Sequence, residues 1–162
     1  MAPQTQLPNA YCPPGWVMND RSCYLLHTDS PYTWKDANSF CATQLAHLVI
    51  IETAEEDNFL KQLTLPIIDL HHTQASGLWT AGSDDDTEGI WKWIDGFRHT
   101  DKLIQGYKNW HSGEPDSGSG NHDEDCMCII GRRNFEWQDY RCSTHMNFIC
   151  EKSITYSSAL VG

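Results

Sequence analysis

The feature that most constrains the fold is the distribution of seven cysteines over a chain of 162 residues. They are Cys12, Cys23, Cys41, Cys126, Cys128, Cys142 and Cys150. Because they are spread along the chain without paired C-x-x-C modules, they favour disulfides in an oxidising compartment over a zinc cluster. The odd number leaves one cysteine over. We therefore expect a secreted, extracellular protein whose loops are tied by disulfides.

Charge narrows the range of partners. The net charge of -11 and the pI near 4.9 argue against binding to nucleic acid or to anionic membranes, which require basic patches. Cations are the expected partners instead. The sequence has no apolar run of about 18 residues, so membrane insertion is not expected. The polar start MAPQTQLPNA lacks the apolar stretch of a signal peptide, which predicts a removed leader or another export route.

Two segments of the first half carry helix signals. In TWKDANSFCATQL, Thr33 and Asp36 form a capping-box-like pair ahead of apolar residues at helical spacing. Thr53 and Glu56 repeat this signal for a second helix, which Pro66 is expected to end. The predicted apolar faces contain Trp34, Ala37, Cys41 and Leu45 in the first helix and Phe59, Leu60 and Leu63 in the second.

The second half has the pattern of short strands. From Gly77 onward, the aromatic runs LWTAG, IWKWIDG and EDCMCII are separated by Gly, Asp and Asn, which is typical of short strands joined by long loops. Two helices followed by strands predict an α+β fold. One domain is expected, because the length suits a single core. The tryptophans predicted for that core are Trp34, Trp91, Trp93, Trp110 and Trp137.

Five ordered motifs carry a resemblance to a known family. They are WKWIDG (91–96), NWHSGEPD (109–116), EDC (124–126), EWQDYRC (136–142) and NFICEK (147–152). In order and spacing they resemble the C-type lectin domain. The resemblance implies the C-type lectin-like fold, with two helices, short antiparallel strands and long disulfide-tied, calcium-binding loops. It covers residues 11–152, which leaves 1–10 and 153–162 as tails.

The same resemblance implies a disulfide scheme. The pairs are Cys12–Cys23, which marks the family's long form, Cys41–Cys150 and Cys126–Cys142. The second pair would close a loop of about 109 residues and remove much of the entropy of the unfolded chain. Cys128 is then left unpaired. It is either buried as a small hydrophobic residue, which we favour, or joined to a second chain in a homodimer.

The segment from Glu114 to Cys126 holds five carboxylates and two glycines. Ca²⁺ takes six to eight oxygen ligands, which flexible loops rich in Asp, Glu and carbonyl groups supply. The resemblance implies a principal calcium site, with the main-chain carbonyl of Asp139 as a further ligand. The implied ligands, which would also bind the sugar, are Glu114, Asp116, Glu124, Gln138 and Asp139. Gln138 departs from the family's Asn by one methylene.

A second, auxiliary calcium site is the weaker hypothesis. The resemblance places its ligands at Asp84, Glu88 and Asp125, but Ser117 stands where the family often has Asp. The alternative is that the Asp84-Asp85-Asp86 run is a solvated turn.

The resemblance, through its Glu114-Pro115-Asp116 motif, implies calcium-dependent binding of mannose-type or galactose-type sugars, in pathogen or glycan recognition, and no enzymatic activity. An acidic protein-binding or mineral-matrix protein is the alternative. A hydrolase is disfavoured, since calcium keeps carboxylates ionised whereas glycoside hydrolysis needs one protonated. Zinc at His71-His72 is disfavoured too, because adjacent side chains on an extended chain point to opposite faces.

Overall fold

The structure is a computed structural model that describes residues 9–68, 77–117 and 123–157. These ranges contain the helices α1 (Trp34–Thr43) and α2 (Ala54–Ile68). Their strands are β1 (Ala10–Tyr11), β2 (Val17–Asn19), β3 (Ser22–Tyr32), β4 (His47–Leu48), β5 (Gly77–Ser83), β6 (Lys92–Asp95), β7 (Thr100–Leu103), β8 (Cys126–Ile130), β9 (Glu136–Tyr140), β10 (Met146–Ser153) and β11 (Thr155–Tyr156). The predicted α+β class is confirmed. His71 and His72 lie outside the described residues.

Helix α1 has a defined cap at each end. The Thr33 hydroxyl accepts a hydrogen bond from the Asp36 amide at 3.2 Å, as the capping pattern predicts. At the other end, the amides of Leu45 and Ala46 donate to the carbonyls of Ala42 and Cys41. Leu45 has a φ of 57°, the left-handed conformation that ends helices in a Schellman motif. The chain therefore turns directly from α1 into β4.

Helix α2 begins as predicted but does not end at Pro66. The Thr53 hydroxyl accepts from the Glu56 amide at 3.1 Å, and the helix continues through Pro66 to Ile68. Proline removes one hydrogen bond to the preceding turn. Because Pro66 lies in the last turn, only a single backbone hydrogen bond near the helix end is lost, and the helix interior is unaffected. Of the predicted apolar face, Leu60 is buried, while Phe59 and Leu63 are half-buried against the core.

The nine-stranded sheet follows the order β2-β3-β10-β5-β6-β7, with β4 paired to β10 and β8 placed between β5 and β9. Its pairings in the described residues are antiparallel except β10 with β5, which is parallel through Asn147↔Leu78 and Phe148↔Trp79. The prediction of antiparallel strands missed this one pairing, because it depends on how the last strand returns to the sheet. The parallel contact joins the beginning of the strand-rich second half of the chain to a strand near its end.

Both ends of the described chain meet in a second, two-stranded sheet. Ala10 pairs with Tyr156 and Tyr11 with Thr155 in an antiparallel ladder. The paired structure thus extends a few residues past the predicted limits of 11 and 152, and the division into tails and domain stays a prediction. No helix in the described part of the chain is long and apolar enough to span a membrane.

The core lies between the helices and the sheet. Its largest fully buried side chains include Trp79, Trp137 and Phe148. Of the tryptophans predicted for the core, Trp93 and Trp137 are buried. The others, Trp34, Trp91 and Trp110, are half-buried and pack against the core from its edge.

Three disulfides tie this core to the loops: Cys12–Cys23, Cys41–Cys150 and Cys126–Cys142. These are the pairs that the resemblance implies. Cys41–Cys150 joins α1 to β10, and Cys126–Cys142 joins the start of β8 to the residues that follow β9. The last of these bonds therefore fastens the C-terminal end of the acidic segment beside β9.

Two carboxyl groups, the half-buried Glu56 in the first turn of α2 and the buried Glu151 on β10, interact electrostatically. The Tyr24 hydroxyl donates to Glu56 Oε1 at 2.9 Å, and Glu151 accepts from the Ser22 hydroxyl and the Ile50 amide. Burial, and then the charge of Glu151, raise the pKa of Glu56 to about 7. Burial also raises the pKa of Glu151. Ionising this pair at neutral pH therefore opposes folding.

Candidate metal centre

The segment that leads to Glu114 is held between α2 and β9. The Trp137 amide donates to the Asn109 carbonyl at 2.7 Å, and the His111 amide donates to the Trp137 carbonyl at 2.8 Å. On the helix side, Asp57 accepts from the Tyr107 hydroxyl at 2.8 Å and from Asn109 Nδ2 at 2.9 Å. These contacts bring the loop carrying Glu114 beside β9.

Three predicted ligands meet at this point, and we call them the principal cluster. Carboxylate oxygens of Glu114, Asp116 and Asp139 all lie within 4.8 Å of one another. Asp139 is fully buried on β9 and accepts from the amides of Asp116 at 3.1 Å and Ser117 at 2.7 Å. The intervening Glu114–Pro115 peptide bond is cis. Strand β9 thus provides the base on which the loop is placed.

The principal cluster has the properties of a cation site. The Glu114 side chain is only 8% exposed, and its Oε2 has no hydrogen-bond partner among the described residues. Burial, followed by the nearby Asp139 and Asp116, raises the pKa of Glu114 to about 8. Packed carboxylates resist ionisation in this way unless a cation balances them. An all-oxygen donor set with an unpartnered buried oxygen fits a hard divalent cation such as Ca²⁺.

The two other predicted principal ligands lie next to this cluster. Burial raises the pKa of Glu124, and the neighbouring Asp139 and Asp116 raise it further, so these carboxyl groups share one electrostatic environment. Gln138 precedes Asp139 on β9, and its amide stays a predicted ligand.

The predicted auxiliary residues also come together, and we call them the auxiliary cluster. Carboxylate oxygens of Asp84, Glu88 and Asp125 lie within 4.8 Å of one another. Asp84 is buried; its Oδ2 accepts from the Gly89 amide at 2.8 Å, and its Oδ1 has no partner among the described residues. Burial and then Asp84 raise the pKa of Asp125 to about 6. The Asp84-Asp85-Asp86 run is therefore not entirely a solvated turn.

Ser117 connects the two clusters, a role that sequence comparison does not suggest. Its amide donates to Asp139 in the principal cluster, and its hydroxyl donates to Glu88 in the auxiliary cluster at 2.6 Å. Serine thus supplies a hydrogen-bond donor at a position where the family often supplies a carboxylate.

Arg133 is the site residue that the sequence analysis missed. Its Nη1 lies 3.2 Å from Glu114 Oε1. It ends the short 3-10 helix Gly131–Arg133 between β8 and β9, and the next two residues, Asn134 and Phe135, both have positive φ. Two adjacent arginines in a turn of an otherwise acidic chain were the available signal. Only the pairing of β8 with β9 brings the second one to Glu114.

Cys128 lies under this site. It is unpaired and buried on β8, and its thiol donates to the Gln138 carbonyl at 3.5 Å. Burial raises the pKa of the thiol. Both observations favour the buried alternative over a disulfide between chains.

Comparison with known proteins identifies the family. Residues 30–152 match the family described as the lectin C-type domain. The chain belongs to the C-type lectin family. Among curated relatives, it is 34% identical to asialoglycoprotein receptor 2 of Homo sapiens over 87% of the chain and 40% of the receptor. It is 33% identical to perlucin of Haliotis laevigata over 92% of the chain and 88% of perlucin. The chain spans less than half the length of the first of these relatives.

Solved structures agree with this assignment. The carbohydrate-recognition domain of the human scavenger receptor C-type lectin is 32% identical, with a TM-score of 0.71 over 88% of this chain and 99% of that one. A calcium-independent type II antifreeze protein superposes with a TM-score of 0.73 at 24% identity, over 91% of this chain and 98% of that one, and shows the fold alone. The family is one of carbohydrate-recognition domains rather than enzymes.

Proposed function

We propose that this C-type lectin domain binds carbohydrate through a calcium ion held by the principal cluster. The observation that carries the proposal is the packing of Glu114, Asp116 and Asp139 within 4.8 Å, with Glu114 Oε2 buried and unpartnered. Glu124 and the Gln138 amide complete the proposed ligand set. A bound calcium ion would supply open coordination positions for two sugar hydroxyls.

The residues of this chain would orient the sugar by hydrogen bonding. A carboxylate only accepts hydrogen bonds, whereas an Asn or Gln amide also donates. Glu114 and Asp116 therefore both act as acceptors. A sugar hydroxyl has one proton to donate and lone pairs that accept, so it would be better matched by one acceptor and one donor. The proposed result is weak, broad binding of mannose-type and galactose-type sugars. The proposed binding preference is modestly for mannose, because Glu114 is present and the sequence from 117 to 125 has no Phe, Trp or Tyr.

The auxiliary cluster is proposed as a second calcium site. Its support is the convergence of Asp84, Glu88 and Asp125 and the unpartnered Oδ1 of Asp84. We further propose a secreted protein, from the disulfides. A homodimer linked through Cys128 is the disfavoured alternative, because this thiol is buried.

Calorimetry and a glycan array, each with and without EDTA, test the proposal. Calcium should bind near neutral pH, and sugar binding should disappear in EDTA and in Asp139→Asn. The matched control is Asp29→Asn, which changes an exposed aspartate on β3 outside both clusters. The absence of calcium binding at millimolar concentration would refute the metal assignment.

The alternative is an acidic protein that binds proteins or mineral surfaces without strong sugar binding, which the net charge of -11 favours. It predicts that mineral or protein binding persists in excess sugar. Retained binding to such surfaces by Asp139→Asn, with no sugar bound by the wild type, would decide for the alternative.

A further inference from the structure

Arg133 covers Glu114, a largely buried carboxylate of the principal cluster. Its side chain is 42% exposed, while that of Glu114, 3.2 Å away, is 8% exposed. The guanidinium therefore lies on the solvent side of the carboxylate. An arginine has five N–H donors in a planar fork, and the contact with Glu114 Oε1 uses only one nitrogen. The remaining donors are available at the rim of the site.

Several other arginine and lysine side chains in the described residues pair with carboxylates outside both acidic clusters. Those pairs are Lys92 with Asp86 and Asp101, Arg98 with Asp95, and Lys102 with Glu52. None of them involves either acidic cluster. In a chain with twice as many acidic as basic residues, a cation held against Glu114 therefore needs an explanation.

Arg133 also changes the charge that a ligand meets. Glu114, Asp116, Glu124 and Asp139 carry four negative charges when ionised, and one Ca²⁺ would balance half of them. Arg133 contributes one more positive charge. Arg141 also acts on the cluster, because its charge lowers the pKa of Glu124 against the larger effect of burial. The calcium-loaded site would thus approach neutrality and would not repel an anion.

We propose that Arg133 makes this site selective for sugars that carry an anionic group, a carboxylate or a sulfate, over neutral sugars. This inference rests on the proposed function and names its ligand class. Calcium would hold two ring hydroxyls, and the exposed donors of Arg133 would bind the anionic oxygens in the forked geometry that guanidinium groups favour. A lysine could supply the charge but not the fork.

The test measures ratios of dissociation constants in saturating calcium. The probes are methyl mannoside, its uronic acid and its 6-sulfate, with the galactose counterparts as a second set. The wild type should bind one or both anionic forms about threefold to tenfold more tightly, as expected for one charge-assisted hydrogen bond at a partly exposed site. Raising the salt concentration from about 0.1 to 1 M should reduce that ratio, because the Debye screening length shortens from about 10 to 3 Å.

Three variants give the inference its controls. Arg133→Gln should bring the ratio near one, Arg133→Lys should keep part of it, and Arg132→Gln, which changes the exposed neighbour, should leave it as in the wild type. Calcium calorimetry verifies that each variant is folded. Equal binding of neutral and anionic sugars by the wild type, or a ratio that survives in Arg133→Gln, overturns the inference and leaves the proposed function standing. Loss of all calcium-dependent sugar binding would instead overturn the proposed function, and the inference with it.

Discussion

Replacing Asp57 with alanine should loosen the loop that carries Glu114 although Asp57 is not a proposed ligand. The substitution removes the acceptor for both the Tyr107 hydroxyl and Asn109 Nδ2. Leaving a donor without its partner costs about 1–3 kcal/mol when the donor is buried, and these two are half-buried, so about 1–1.5 kcal/mol each applies. Burial raises the pKa of Asp57, so removing the charge returns part of the loss. A net decrease of about 2 kcal/mol in unfolding free energy is expected.

Urea unfolding and calcium calorimetry on the same samples separate the two consequences. Tyr107→Phe, which removes one of the two hydrogen bonds, is the matched control and should lose about 1 kcal/mol. Calcium affinity should fall severalfold in Asp57→Ala and less in Tyr107→Phe, because Asn109 also pairs with Trp137 and continues toward Glu114. Two results would refute this reasoning. One is an Asp57→Ala variant as stable as the wild type, and the other is a destabilised variant with unchanged calcium affinity.

Three further predictions concern pH, disulfides and sugar preference. Because the pKa of Glu56 is raised to about 7, its contribution to stability should be fully present below about pH 4.5 and be lost as the pH rises through 7. Thermal unfolding of Glu56→Gln should show a flatter pH profile and greater stability than the wild type above pH 7. Replacing Cys41 and Cys150 together by alanine opens a loop with a sequence separation of 109, and denaturant titration should show a loss of about 4–5 kcal/mol. In competition assays, Asp116→Asn should strengthen mannose binding and Glu114→Gln should shift preference toward galactose, each by a few-fold to about tenfold. A wild type that already separates the two sugars by more than about a hundredfold would contradict the donor and acceptor argument.

Local signals predicted the helices well because their caps lie within a few residues. Thr33 and Thr53 each accept from the amide three residues later, as the pattern requires. Pro66 misled the prediction of the second helix end, because the penalty for proline depends on its place within the helix. The parallel pairing of β10 with β5 joins residues about 70 positions apart, and periodicity holds no information on such a contact.

The residues of the candidate site also fall into two groups: those that sequence motifs predict, and those that only the three-dimensional fold brings to the site. Glu114, Asp116 and Asp139 stand in motifs whose order resembles a family, so they could be named before their geometry was known. Arg133 stands in no such motif. It reaches Glu114 only because β8 and β9 pair in register and the turn between them takes two left-handed residues. Ser117 was noted only as a departure from the family, and the hydrogen bond from its hydroxyl to Glu88 became visible only in three dimensions.

The Cys41–Cys150 disulfide also determines how the domain would carry mechanical load. Tension applied to the two ends would first separate the short ladder of β1 and β11, which holds two residue pairs. The covalent path would then run from Cys12 across to Cys23, along the chain to Cys41, and across to Cys150. Every residue of both acidic clusters lies between positions 41 and 150 and is bypassed by that path. A pulled domain would therefore lengthen at its ends while the force bypasses the segment proposed to bind the ligand.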